Sequence, residues 1–104
     1  MNSYIVNESE RARKDIRRII KYMLNKKRNP FAAERILDDY YHTAEKLSYM
    51  ADTVSQPNDP SLQKRGLKRI NFSKHDYFIL FAIEGEAVII ANVFHAKENF
   101  EKKL

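Results

Sequence analysis

The side chains that suggest chemistry lie in the last third of the sequence. Lys64 and Arg65 precede a run of strand-forming residues, Lys68 and Arg69 lie within it, and Lys74 and His75 occupy the turn after it. The apolar segment VIIANVF then ends in His95, with Lys97 and Phe100 close behind. Metal-free cleavage of RNA calls for residues of these types. A base removes the ribose 2′-OH proton, an acid protonates the departing 5′-oxygen, and fixed cations stabilise the phosphorane between them. Imidazole suits either proton transfer near neutral pH. Lys and Arg suit the charge, and an aromatic ring such as Phe100 or Tyr77 can stack an unpaired base. His95, Lys97 and Arg69 belong to this set of imidazole and basic groups around the last three strands. Lys64, Arg65, Lys68, Lys74, His75 and Phe100 are the expected RNA contacts. This requires the stretch from Lys64 to Arg69 and that from His95 to Lys97 to lie across one face of a sheet.

Each of these residues also has a plainer explanation. A lone histidine after an apolar strand is commonly a surface or capping residue. Phe100 stands four residues from Leu104, which suits packing of the C-terminal tail. Composition and spacing by themselves give a small basic domain with RNA as the candidate partner.

Other chemistries are poorly supported. Gly66 and Gly85 are the only glycines, too few for a phosphate-binding loop or a dinucleotide fingerprint. There is no cysteine, hence no disulfide, thiolate catalysis or zinc–sulfur site. His42, His75 and His95 are scattered without metal-ligand spacing, so neither a metal nor a cofactor is expected. No apolar window approaches the ~18 residues of a membrane span, and no signal-peptide pattern is evident; a cytoplasmic location is expected.

The net charge of +5 is unevenly distributed. Residues 1–29 carry nine Lys/Arg against three Asp/Glu, residues 30–62 two against six, and residues 63–104 eight against five. Two basic ends flank an acidic middle, a pattern that suits a polyanion or an acidic protein at the ends.

The residues above need elements to position them. Tyr4 to Val6 reads as an opening strand, followed by Asn7 or Ser9 as a helix cap. Ala12, Ile16, Ile19, Ile20 and Met23 trace one face of a helix to about Leu24, and Arg11, Lys14, Arg18 and Lys21 trace the solvated face. Asn29-Pro30 pairs an N-cap with a proline at the first helical position. A second apolar stripe, Ala33, Ile36, Leu37, Tyr40, Ala44 and Leu47, then runs to about Met50, so the two helices form an antiparallel hairpin. Asp52 to Gln63 reads as a loop. Leu67 to Phe72, Tyr77 to Ile83 and Ala87 to Phe94 read as strands, the last two joined by a hairpin at Gly85, and a short helix closes the chain. The expected fold is one α+β domain, residues 1–104, with an N-terminal strand, a helical hairpin and a three-stranded, mainly antiparallel sheet.

That order, and the residues within it, resemble the RelE/ParE superfamily of type II toxins. The resemblance rests on Ala12 and Asp15 in the first helix, Asn29-Pro30 and Ala32-Ala33 opening the second, Arg69-Ile70 in the next strand, Tyr77 opening the central strand, and His95 with Lys97 after the last. It spans nearly the whole chain. It implies a toxin causing growth arrest and neutralised by a cognate antitoxin, whose toxin-binding part is usually acidic. The RelE-like branch implies a ribosome-dependent endoribonuclease that cleaves mRNA and inhibits translation. There His95 would carry proton transfer, Lys97 would take the place where many members have Arg, and Arg69 would match the basic residue of the preceding strand. Phe100 departs from the tyrosine often found there and cannot move a proton. The ParE-like branch implies inhibition of DNA gyrase with no nuclease activity. RNA cleavage is the first expectation and gyrase the alternative.

Overall fold

The computed structural model describes residues 3–104. Four strands, β1 (Ile5–Glu8), β2 (Lys68–Asn71), β3 (Tyr77–Glu84) and β4 (Ala87–His95), form one sheet in the order β1-β4-β3-β2. The expected α+β class and helical hairpin are present: α1 (Glu10–Asn25) and α2 (Pro30–Met50) lie between β1 and the other strands. The sheet has four strands rather than three, because β1 pairs in parallel with β4. That pairing joins residues about eighty positions apart, which no local pattern announces.

The cap at α1 is Ser9, whose Oγ accepts the Ala12 N–H at 3.0 Å. Asn29 caps α2 in the same way, accepting the Ala32 N–H at 3.0 Å. Between them Arg28 holds φ 49°, the left-handed position that usually takes glycine near a helix C-terminus. The segment read as a loop contains a 3-10 turn (Ala51–Thr53) and a short helix, α3 (Pro60–Lys64), capped by the Asp59 carboxylate. Asp59-Pro60 repeats the cap-then-proline signal of Asn29-Pro30, on a helix too short to show a period. The C-terminal helix is a 3-10 turn, Phe100–Lys103.

Both faces of β3 are covered, as its continuous apolar run requires. Tyr77, Ile79 and Phe81 meet α1 and α2 in a core with Ile16, Ile19, Ile36, Tyr40 and Leu47. Phe78 and Leu80 point the other way, against Leu62, Leu67, Phe94, Phe100 and Leu104.

One irregularity governs β4. Phe81 pairs with Ile90 but Leu80 with Asn92, so Ala91 is an extra residue, a β-bulge. Alternation changes phase there: Val88 and Ile90 face the helices, and beyond the bulge Val93 does. The start of α1 takes up the displaced backbone. Ser9 Oγ donates to the Ala91 carbonyl at 2.9 Å, the Ser9 N–H donates to the Ile90 carbonyl at 2.9 Å, and the Asp15 carboxylate accepts the Val93 N–H at 2.9 Å.

Removing either partner leaves backbone groups beside the bulge unpaired. Ser9→Ala is expected to cost about 1–2 kcal/mol and Asp15→Ala about 1–3 kcal/mol. Both should read as a lower urea midpoint at unchanged m.

Candidate functional site

The residues expected to act together are divided between the two faces of the sheet. His95 lies directly opposite Tyr77 in the β3–β4 ladder, its ring edge-on to the Tyr77 ring at 5.0 Å between centroids. It faces α1 and opens on a cavity of about 550 Å³ shared with Arg18, Tyr22, Lys27, Tyr77 and Glu98. Arg69 is on the reverse face. Its guanidinium carbon sits 3.8 Å from the centroid of the Phe78 ring, and its Nε donates to Asn71 Oδ1 at 3.0 Å. The placement across one sheet face is therefore corrected. The bulge at Ala91 is the reason: uninterrupted alternation from Ile90 would have sent residue 95 to the side of Arg69.

His95 is held in a definite state. Its Nδ1 accepts the Lys97 N–H at 3.0 Å, so in the neutral ring the proton sits on Nε2. A general base needs the opposite tautomer, and a general acid needs the imidazolium. Both put a proton on Nδ1 and break the Lys97 contact. The neighbouring groups are equally committed. Glu98 accepts the His95 backbone N–H at 3.2 Å, Arg18 at 3.4 Å and Lys103 at 2.8 Å. Burial pushes the Glu98 carboxyl up, but Lys103, the His95 N–H and Arg18 together outweigh it and hold it below its ordinary value. Burial, then the charge of Glu98 and the presence of Tyr22, push the Tyr77 phenol up, so it stays protonated. This pocket has cations and an N–H donor but no group poised to take a proton.

The reverse face lacks proton-transfer groups as well. β3 and β4 send Phe78, Leu80, Ala82, Ala91 and Phe94 there. Burial pushes the Arg69 guanidinium down from its usual value. Phe100, expected to stack a base, packs edge-on to Phe78 at 5.5 Å and stacks on Phe94 at 6.1 Å. Lys68 Nζ donates to the Val54 carbonyl at 2.9 Å, and Arg65 reaches the Leu104 carbonyl at 3.4 Å. Lys64 and Lys97 are exposed, one at the end of α3 and the other after β4.

Lys74 and His75 form a third locus, and its anchor was missed. Asp39 on α2 is buried, and its carboxylate accepts the Ser73 N–H at 3.1 Å, the Lys74 N–H at 2.9 Å and His75 Nδ1–H at 2.7 Å. This pins the β2–β3 turn to α2. With Nδ1 donating, the neutral ring of His75 carries its lone pair on Nε2, and His75 lines a cavity of about 550 Å³ with Arg35, His42 and Lys74. The available signal was Asp39 itself, a carboxylate on the arc of α2 that buries Ile36, Tyr40 and Thr43. No group of three potential ligands is placed to hold a metal among the described residues. No helix among them is long and apolar enough to cross a membrane.

Residues 6–100 match the family model described as the ParE toxin of the type II toxin–antitoxin system parDE. The chain belongs to this family. Its membership in the wider RelE/ParE group is also seen in Toxin RelE3 of Caulobacter vibrioides, 30% identical over 88 residues, covering 85% of this chain and 89% of the relative. Two solved structures share the fold. One, of the chromosomal ParDE system from P. aeruginosa, has TM-score 0.72, 14% identity, and covers 91% of this chain and 98% of that one. The other, the RelBE2 toxin–antitoxin complex from Mycobacterium tuberculosis, has TM-score 0.63, 23% identity, and covers 89% and 98%. The chain is thus a toxin of a type II toxin–antitoxin family, and the matched stretch includes β4, its bulge and both long helices.

The Asp39 anchor yields a pH dependence. Burial pushes its carboxyl up, but the bonds from His75, Lys74 and Ser73 outweigh this and hold it below 3.8. A carboxyl depressed in the folded toxin stabilises it fully above about pH 5, and that contribution fades as pH falls through the folded value. Asp39→Ala is expected to cost about 3 kcal/mol near neutral pH. It should also flatten the acid limb of a melting-temperature profile measured from pH 7 downward.

Proposed function

We propose that this toxin arrests growth by binding a protein target, DNA gyrase, without cleaving RNA, and that a cognate antitoxin covers it. The observation that carries the reading is the separation of His95 from Arg69 by the sheet. Cleavage needs a proton carrier and a phosphate-binding cation within reach of one phosphodiester. Here Arg69 on one face has apolar neighbours, and the imidazole on the other, although Arg18 and Lys27 share its cavity, has its Nδ1 lone pair engaged by a backbone N–H. Membership in the ParE toxin family supports the same branch. The helical hairpin then becomes the working surface. The antitoxin partner is supported by the family and by the basic ends of the chain, which suit an acidic segment that orders as it binds.

A second reading has one observation in its favour. His75 is oriented by a buried carboxylate at Nδ1, which leaves Nε2 as the nitrogen for proton transfer, and Lys74, Arg35 and His42 line the same cavity. If the toxin cleaves mRNA on the ribosome, proton transfer moves from His95 to His75.

The test is ATP-dependent supercoiling of relaxed plasmid by purified gyrase, with wild-type toxin, His95→Gln and His75→Gln. Equal inhibition within about twofold by the wild type and His95→Gln, with mRNA intact in a translating extract, is the expected result. Absence of supercoiling inhibition together with mRNA cuts would overturn the reading. Loss of those cuts in His75→Gln but not in His95→Gln would establish the second one.

A further inference from the structure

The turn joining α1 to α2 carries features that packing of the hairpin does not use. Between Tyr22 and Phe31 the chain exposes three large apolar side chains: Tyr22 and Leu24 are each 44% exposed and Phe31 is 72% exposed. Lys26, Lys27 and Arg28 stand between them, all exposed. Core burial draws on the inner positions Ile16, Ile19, Ala33 and Ile36, so folding leaves these rings and cations at the tip. Arg28 holds its left-handed backbone although it is not glycine; the other positive-φ residues among those described are Gly66 and Gly85.

The tip adjoins the cavity described at His95. Tyr22 and Lys27 form one wall of it, Ile19, Met23 and Tyr77 give it an apolar lining, and Lys27 Nζ lies 5.8 Å from the centroid of the Tyr22 ring. Apolar anchors, a receiving pocket and a rim of cations are the parts of a protein–protein contact centre. A bilayer has no use for the cavity, and a nucleic acid would pair with the cations while leaving Leu24 in water. The charge selects the partner: three adjacent cations with no carboxylate between Tyr22 and Phe31 complement an acidic surface.

We propose that the α1–α2 tip and the cavity at its base form one docking surface for an acidic protein partner, with Leu24 and Phe31 entering an apolar recess bordered by carboxylates and the cavity receiving an apolar side chain in return. This rests on the reading that the toxin acts by binding a protein target, and it places the contact at the tip rather than along the basic outer face of α1.

Two variants test it: Leu24→Ser with Phe31→Ser, and charge reversal of Lys26, Lys27 and Arg28 to glutamate. All five side chains are exposed, so the melting temperature should hold. Growth arrest on induced expression is scored beside inhibition of purified gyrase. Both variants are expected to lose potency in growth arrest by about tenfold or more. Full growth arrest by both variants overturns the surface. Loss of arrest by the variants, with a wild type that never inhibits gyrase, keeps the surface and removes gyrase as its partner. Undiminished gyrase inhibition by both variants removes the surface and leaves the gyrase reading intact. Co-sedimentation of the wild type with phosphatidylglycerol-containing vesicles, or retention of a single-stranded oligonucleotide, lost on charge reversal, also overturns it. A wild type that neither arrests growth nor inhibits gyrase removes both proposals.

Discussion

A single extra residue in β4, Ala91, decides what this sheet presents on each face. The bulge reverses alternation after Ile90, so that Val93 and His95 follow Val88 and Ile90 toward the helices instead of leaving them. It also leaves backbone groups that the β3–β4 ladder does not pair, and Ser9 and Asp15 meet them from the first turns of α1. The helix is therefore fastened to the strand at the dislocation. From that attachment follow the course of α1 along the sheet, the position of the hairpin tip, and the cavity between α1 and the end of β4. Such a bulge is a positional device, maintained by specific polar contacts.

The two faces acquire different characters as a result. On the reverse face, Phe78, Phe94 and Phe100 form an aromatic layer, and Arg69 lies against it as a cation over a ring rather than as a free phosphate ligand. On the helical face, His95 sits beside a carboxylate already satisfied by Arg18, Lys103 and a backbone N–H. Cations without a proton carrier, and an imidazole without a free base lone pair, make a recognition surface more readily than a catalytic one. On the proposed reading the basic ends of the chain serve association, where charge sets encounter rate and partner choice.

Much of the architecture was legible because it is written in local patterns. The stripe Ala12, Ile16, Ile19 gave α1, Asn29-Pro30 gave the start of α2, and the unbroken apolar run from Tyr77 gave a strand covered on both sides. What stayed hidden was non-local. Nothing in IVNE announces a parallel partner about eighty residues away. Alternation assumes an even strand, and VIIANVFH shows no glycine or proline at its bulge, so nothing local shows that His95 and Arg69 end on opposite faces. Asp39 illustrates a different gap: its three acceptor contacts lie in a turn more than thirty residues distant, and only its place on a buried arc hinted at them.

The proposed reading has one direct consequence for the living cell. Pulse labels of DNA and protein synthesis, taken in the first minutes after induced expression, separate the possible targets. Thymidine incorporation is expected to fall first while amino-acid incorporation continues, as an arrest of gyrase requires. Immediate loss of amino-acid incorporation, with cuts inside translated codons and DNA synthesis continuing, would contradict the assignment. It would mean that the toxin brings a proton carrier and a phosphate together in a way this arrangement of His95 and Arg69 does not.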